Sequence, residues 1–307
     1  MKFLTRAAVL LAVLALAPQA QAADPAFDLS AAQPGRLHVA PNEKAIAALP
    51  KDGLVTPGVL TVAVAPGGHP LADYAEDNQT AIGADPDIAS LVAESLGLKL
   101  QLVPVAWADW PLGLTSGKYD AVISNVGVTE QRKEKFDFST YRQGLHGFFV
   151  GLDSSVQQIA GPKDIAGLKI IVGSGTNQER ILLEWNRQNI AAGLAPTEFQ
   201  YFDDDAQAFL AIASGRADVV VQPHAKLVYI ASRDKQLRKV GTLSAGWPQR
   251  SDVGVTTRKG SGLAEPISIA LNAIIADGIY ARTLDRWHLG DETLPESRVN
   301  PPGLPKF

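Results

Sequence analysis

One nine-residue phrase is written twice in this chain: TSGKYDAVI over 115–123 and ASGRADVVV over 213–221. In each copy a glycine stops a helix in left-handed backbone, and an aspartate then opens a short apolar run that reads as a buried strand. The surroundings repeat as well. Before and around the first copy, strands are predicted over 59–64, 100–105 and 121–124, with helices over 86–96 and 110–116. Around the second copy, strands fall over 168–172, 198–201 and 218–221, with helices over 176–188 and 205–214. Asp85 is read as the cap of the 86–96 helix, Pro86 suits its first turn and Gly97 its end. Strands separated by helices imply a parallel sheet covered on both faces. The fold class is therefore α/β, in two equivalent lobes. The chain must cross between them twice, first near 143–147 and back near 250–254. Gly144 and Gly147 are suited to a two-strand hinge, and Trp247 lies where it could pack on the return crossing.

The N-terminus reads as an export signal. Lys2 and Arg6 precede an apolar run over 7–17, too short to span a bilayer, and Ala20-Gln21-Ala22 has the small-x-small form of a cleavage site. Cleavage is expected after Ala22. The chain contains 0 cysteines, which leaves neither disulfides, thiolate metal sites nor a lipid-anchoring Cys in the signal. An unanchored exported protein needs an outer membrane to retain it, so the expected compartment is the periplasm. A formal charge of −4 argues against a nucleic-acid partner. The expected organisation is a signal over 1–22, a proline-punctuated extension over 23–57 with a short helix capped by Asn42, lobe one over 58–145, lobe two over 146–250, a return to lobe one over 251–290, and a tail over 291–307. A single copy is expected to act as a monomer.

Residues 116–141 carry the chemistry. Thr129 reads as a helix N-cap followed by Glu130 and Gln131, which sets Arg132 just inside a helix start, where its guanidinium and free N–H groups could meet a carboxylate. Taken alone, Arg132 reads better as an exposed side chain pairing with Glu130 or Glu134 on a solvated helix. The phrases Ser-Gly-Lys-Tyr-Asp-Ala-Val-Ile, Val-Thr-Glu-Gln-Arg and Phe-Asp-Phe-Ser-Thr-Tyr, then Gly173-Ser-Gly-Thr-Asn-Gln-Glu179, the second Ser-Gly-Arg-Ala-Asp and a closing helix through Arg286 and Trp287, together resemble the bacterial family 3 solute-binding proteins. These are periplasmic amino-acid receptors of ABC importers. The resemblance runs over about 59–289 and implies a type II periplasmic binding fold.

It also implies site residues. Arg132 would hold the ligand's α-carboxylate, with Asn125 and Gly127 contacting the α-ammonium and carboxylate, Gly127 through main-chain groups only. Thr176 and Asn177 would meet the ligand from lobe two, although Thr176 also reads as an ordinary N-cap. Trp107 matches a ligand-wall position, with a core role as the alternative. His69, Gln222 and Pro223 sit on loops expected at the cleft, where the strands' carboxyl ends converge. Two departures stand out. Pro223 occupies the position where the family usually places the Asp that neutralises the ligand's ammonium, and a proline offers only a carbonyl. Asp73 or Asp109 could substitute, or the ligand could lack a free ammonium. Gly68 stands where many relatives have an aromatic. His69 and His224 lack a third ligand at metal spacing, and no cofactor is expected. Asp203-Asp204-Asp205 reads as a helix N-cap. The resemblance implies a non-enzymatic receptor that delivers an amino acid or related carboxylate to an ABC permease. Rival readings are a cyclohexadienyl dehydratase-like enzyme on the same fold, which needs a cleft acid of tuned pKa, and a ligand-sensing receptor.

Overall fold

The structure, a computed structural model, describes residues 27–202 and 204–306. The signal segment and the Ala22 cleavage site lie outside the described residues, as do Asp203 and Phe307. Two five-stranded sheets organise the chain. In the first, the order is Lys99–Pro104, Val59–Val64, Ala121–Val122, Asp252–Arg258, Phe136–Gln143. In the second it is Leu237–Ser244, Leu145–Gly151, Val219–Pro223, Lys169–Val172, Glu198–Gln200.

Within each sheet the strands that alternate with helices run parallel. The four strands that carry the chain between lobes pair antiparallel, which a purely parallel expectation missed. The reason is topological: a strand leaving a lobe and the one re-entering it lie side by side and must point in opposite directions.

Alternation along the strands places core on both faces. Leu60 and Val62 pack with Ile88 and Leu91 of the helix Ala84–Ser95 and with Ile267 and Leu271 of the helix Ala264–Ala276. Ala63, next after Val62 and on the other face, meets Trp110, Leu114 and Tyr119. In the second lobe Ile170, Val172, Val219 and Val221 meet Ile181, Leu182 and Trp185 of the helix Asn177–Ala191, whereas Ile171 and Val220 meet Ala208, Ile212 and Leu227. A strand with both faces apolar is what a doubly covered sheet requires.

The duplicated phrase does the same job twice. Gly117 and Gly215 both adopt positive φ, 75° and 69°, where a side chain would be strained. Asp120 then accepts from the Thr61 N–H at 2.8 Å while its own N–H donates to Thr61 O at 2.9 Å. Asp218 repeats both bonds with Lys169, at 2.8 and 2.9 Å. Each aspartate thus pins the start of the neighbouring parallel strand, and the apolar run that follows is held in register.

At the crossing, the Gly144 N–H donates to Ser251 O at 3.1 Å and the Ala245 N–H to Gly144 O at 3.0 Å. A Cβ on Gly144 would lie 2.6 Å from the Ala245 Cβ, so close passage of the two connections demands this glycine. Trp247 packs edge-on against Trp185, at 5.5 Å, in the second lobe.

The flanking segments tie into both lobes. Asn42 caps the helix Glu43–Ala47 through a 3.0 Å bond from the Ala45 N–H, and Ala45 is buried in the first core. Phe27 contacts Trp287 and His288 of the first lobe at 5.2 and 4.9 Å and Tyr229 of the second at 5.1 Å. In the tail, Val299 bridges to Ser139 on the first sheet's edge, while the fully buried Leu304 enters the second lobe's core.

Candidate functional site

The carboxyl ends of the parallel strands converge on one cavity of about 520 Å³, within the size range of small-molecule pockets. Its wall takes Ala65 to Gly68, Trp107, Ser124, Asn125, Gly127 and Arg132 from the first lobe, and Gly173, Ser174, Thr176, Asn177, Gln222, Pro223 and Lys226 from the second.

Arg132 is the cavity's positive centre. The Thr129 hydroxyl accepts its backbone N–H at 2.9 Å, as the sequence implies, but the turn that follows is a three-residue 3₁₀ segment, Arg132–Glu134. Phe136 opens an eight-residue strand immediately afterwards, leaving no room for a helix. So short a turn has no appreciable dipole, and the anion-binding chemistry rests on the guanidinium. One guanidinium nitrogen donates to Gly127 O at 2.9 Å and to Asn177 Oδ1 at 3.0 Å, and the other to Gly175 O at 3.3 Å. The plane lies near two indoles, Trp107 at 5.7 Å and Trp110 at 5.6 Å. Among the described residues no carboxylate pairs with it: Glu130 goes to Lys133 and Glu134 to Lys306. Burial, and then repulsion from Arg180, lower its pKa to about 10. A charge held against burial and beside a second cation is a site that an anion stabilises.

The other implied residues divide. Trp107 lines the cavity beneath Arg132. The Asn177 amide donates to Ala245 O at 3.0 Å while its oxygen takes Arg132, so this side chain joins the lobes. Gly127 makes that approach possible: a Cβ there would stand 2.6 Å from Asn177 Nδ2. Gly127→Ala is therefore expected to push the lobes apart, raising the radius of gyration in small-angle scattering by a measurable margin; an unchanged profile would show that Asn177 simply moves aside.

The Thr176 hydroxyl donates to Gly173 O at 2.7 Å and accepts from the Glu179 N–H at 3.3 Å, which leaves it only acceptor capacity towards the cavity. Asn125 sits at φ 53° with its oxygen taken by Arg142. His69 lies outside the cavity wall, stacked 6.4 Å from Trp287. Gln222 and Pro223 line the wall, and Asp204 caps the helix Asp205–Ala213.

The cavity's acid is one that sequence reasoning missed. Asp73 lies in a short hairpin, Asp109 is exposed, and neither reaches the cavity. Asp85 does reach it. Gly83, not Asp85, takes the cap position of its helix, and the buried Asp85 carboxylate accepts the Tyr141 hydroxyl at 2.6 Å. Burial raises its pKa to about 6, against the pull of Arg142 and Tyr141. His146, facing Pro223 across the strand pair, is also buried and is driven down to about 4, chiefly by burial, so it stays neutral. Beneath these lies a buried ion pair: Arg142, in the crossing strand, bonds to Glu292 of the tail as well as to Asn125. Arg142 and Arg132 are ten residues apart on one stretch, and nothing in their immediate sequence separates the paired from the unpaired cation.

Residues 60–290 match the family model of the bacterial extracellular solute-binding proteins, family 3. This chain belongs to that family. It is similar to the L-cystine-binding protein TcyJ of Escherichia coli (strain K12), 28% identical over 234 residues that cover 74% of this chain and 82% of the relative. It is also similar to the cyclohexadienyl dehydratase of Pseudomonas aeruginosa, 26% identical over 172 residues, 55% of this chain and 61% of the relative. Among solved structures, an ancestral arginine-binding protein bound to arginine superposes with a TM-score of 0.65 at 28% identity, covering 75% of this chain and 98% of that one. The family match ends before the tail and begins after the extension, so Glu292, Phe27 and Leu304 lie outside the shared region.

Proposed function

We propose that this family 3 protein captures an amino acid or related small carboxylate between its lobes and delivers it to an ABC permease in the periplasm, after export through residues 1–22, as a monomer without catalysis. The observation that carries the reading is Arg132, a cleft guanidinium bonded only to neutral oxygens and repelled by Arg180. A ligand carboxylate would complete it from inside the cavity, with Trp107 as wall and the Asn125 and Gly127 backbone nearby. The amino-acid ligands named for TcyJ and the ancestral arginine-binding protein support the same class.

A thermal-shift screen over amino acids, their N-methylated and decarboxylated analogues, and organic acids tests it. A ligand at a hundred times its Kd stabilises by about 2.7 kcal/mol, which corresponds to a shift of several degrees for a protein of this size. Carboxylates are expected to shift the melt and their decarboxylated counterparts not to; equal shifts for both would contradict the reading. One observation favours a catalytic alternative: Asp85 is a cavity acid whose pKa is raised to about 6, the kind of group a dehydratase needs. Turnover of prephenate or arogenate by the purified protein would establish that alternative.

A further inference from the structure

The last residues of the chain touch both lobes beside the segment that carries Arg132. Beyond the region shared with the family, the tail first extends the outer edge of the first sheet: the Thr140 N–H donates to Arg298 O at 3.1 Å and the Asn300 N–H to Phe138 O at 3.0 Å. It then runs along residues 128–130, just before Arg132. The Leu304 N–H donates to Val128 O at 3.0 Å, and the Glu130 N–H returns a bond to Leu304 O at 2.9 Å. The Gly303 N–H donates to Glu130 Oε1 at 3.0 Å, and Lys133 Nζ to Pro301 O at 3.1 Å. A Cβ on Gly303 would lie 2.4 Å from Val128 O, so an approach this close needs a glycine.

The backbone of Leu304 thus belongs to the first lobe, and its side chain belongs to the second. Fully buried, it joins the core cluster of Ile181, Leu182 and Trp185 on the helix Asn177–Ala191. That helix begins with the residue whose amide oxygen accepts from Arg132. Opening the cleft must therefore part residues 127–132 from this helix on both flanks. On the cavity side the bonds from Arg132 to Asn177 Oδ1 and Gly175 O can be exchanged for bonds to water at little net cost. Leu304 has no such exchange. Either its side chain leaves an apolar core for water, or its backbone releases Val128 and Glu130.

We propose that the C-terminal tail is a latch. Leu304, seated in the second lobe, positions the Val128–Glu130 segment, and with it Arg132, against that lobe whether or not a solute is bound. The crossings at Gly144 and Ser251 are covalent and permit rotation; the tail adds a connection that can come undone and so sets how readily the lobes part. This concerns the chain itself and stands apart from the identity of the solute.

Distances between spin labels on the two lobes test it. The chain has 0 cysteines, so Leu112→Cys in the helix Trp110–Thr115 and Leu210→Cys in the helix Asp205–Ala213, both exposed, place the labels uniquely. The solute-free labelled protein is expected to give one narrow distribution at short distance. Leu304→Ala frees the second-lobe end of the latch, and Gly303→Ala crowds the first-lobe end without touching the core. Each should raise the population of longer distances by about tenfold or more. Ile170→Ala, which removes a fully buried side chain from the same core but leaves the tail in place, should not. Because the two latch variants act at opposite ends, a shared opening cannot come from damage to one core. A solute-free protein that already populates the longer distances as its variants do, an unchanged distribution in either latch variant, or an equal shift in Ile170→Ala would overturn the latch.

Discussion

Glu292→Ala is expected to destabilise the protein by about 3 to 5 kcal/mol, the usual cost of leaving a buried charge without its partner. Arg142 and Glu292 are nearly inaccessible, at 1% and 4% side-chain exposure, and among the described residues no other carboxylate bonds to Arg142. Burial opposes charge on both groups. Mutual attraction outweighs it, with His224 also favouring the charged acid, and Glu292 titrates below its ordinary 4.5 while Arg142 is held protonated. The stability from Glu292 is therefore present above pH 4.5 and lost as pH falls through the lowered folded value. Asp85 acts in the opposite sense: between 3.8 and about 6 the folded state retains a proton that the unfolded chain releases, so its contribution declines as pH rises through that window. Urea denaturation at pH 7 checks the first claim, with Asp234→Ala as a surface control, since exposed pairs such as Arg233 with Asp234 contribute about 0 to 1 kcal/mol. The double replacement Arg142→Met with Glu292→Leu should recover most of the loss. A Glu292→Ala protein no less stable than the surface control would contradict the buried-pair account.

What the sequence disclosed and what it withheld follow from the range of the interactions. Gly117 with Asp120 and Gly215 with Asp218 were legible because a glycine in left-handed backbone and an aspartate heading a buried strand are local requirements, and their repetition declared two lobes. The strand ends that form the cavity were legible for the same reason. The misreadings come from partners distant in sequence. Asp85 looks like a cap from its neighbours, yet its carboxylate is claimed by Tyr141, and Gly83 does the capping. Trp110 looks like core and is core, but its ring also lies beside the guanidinium of Arg132. Thr129 does cap a turn, and only the strand starting at Phe136 prevents a helix. Glu292, Leu304 and Phe27 gave no sign of their roles, because periodicity reports burial and not the identity of the facing side chain.

Arg132→Ala is expected to weaken solute binding by about 2 to 5 kcal/mol, roughly thirtyfold or more, because truncation removes a cavity cation that no carboxylate pairs with among the described residues. The fold should tolerate the change. Arg132 is half-buried and its partners are carbonyl and amide oxygens, so no acid is orphaned when it goes. Its bonds to Asn177 and Gly175 also join the lobes, so the guanidinium that would receive the ligand is itself tied to the second half of the molecule. The carboxamide analogue of the best-stabilising solute separates charge recognition from shape. Titration calorimetry of wild type and Arg132→Ala with the solute and with its carboxamide is the direct measurement. The account predicts tight binding only for wild type with the carboxylate, and weak binding in the other three combinations; a dissociation constant for the carboxylate that is unchanged in Arg132→Ala would contradict it.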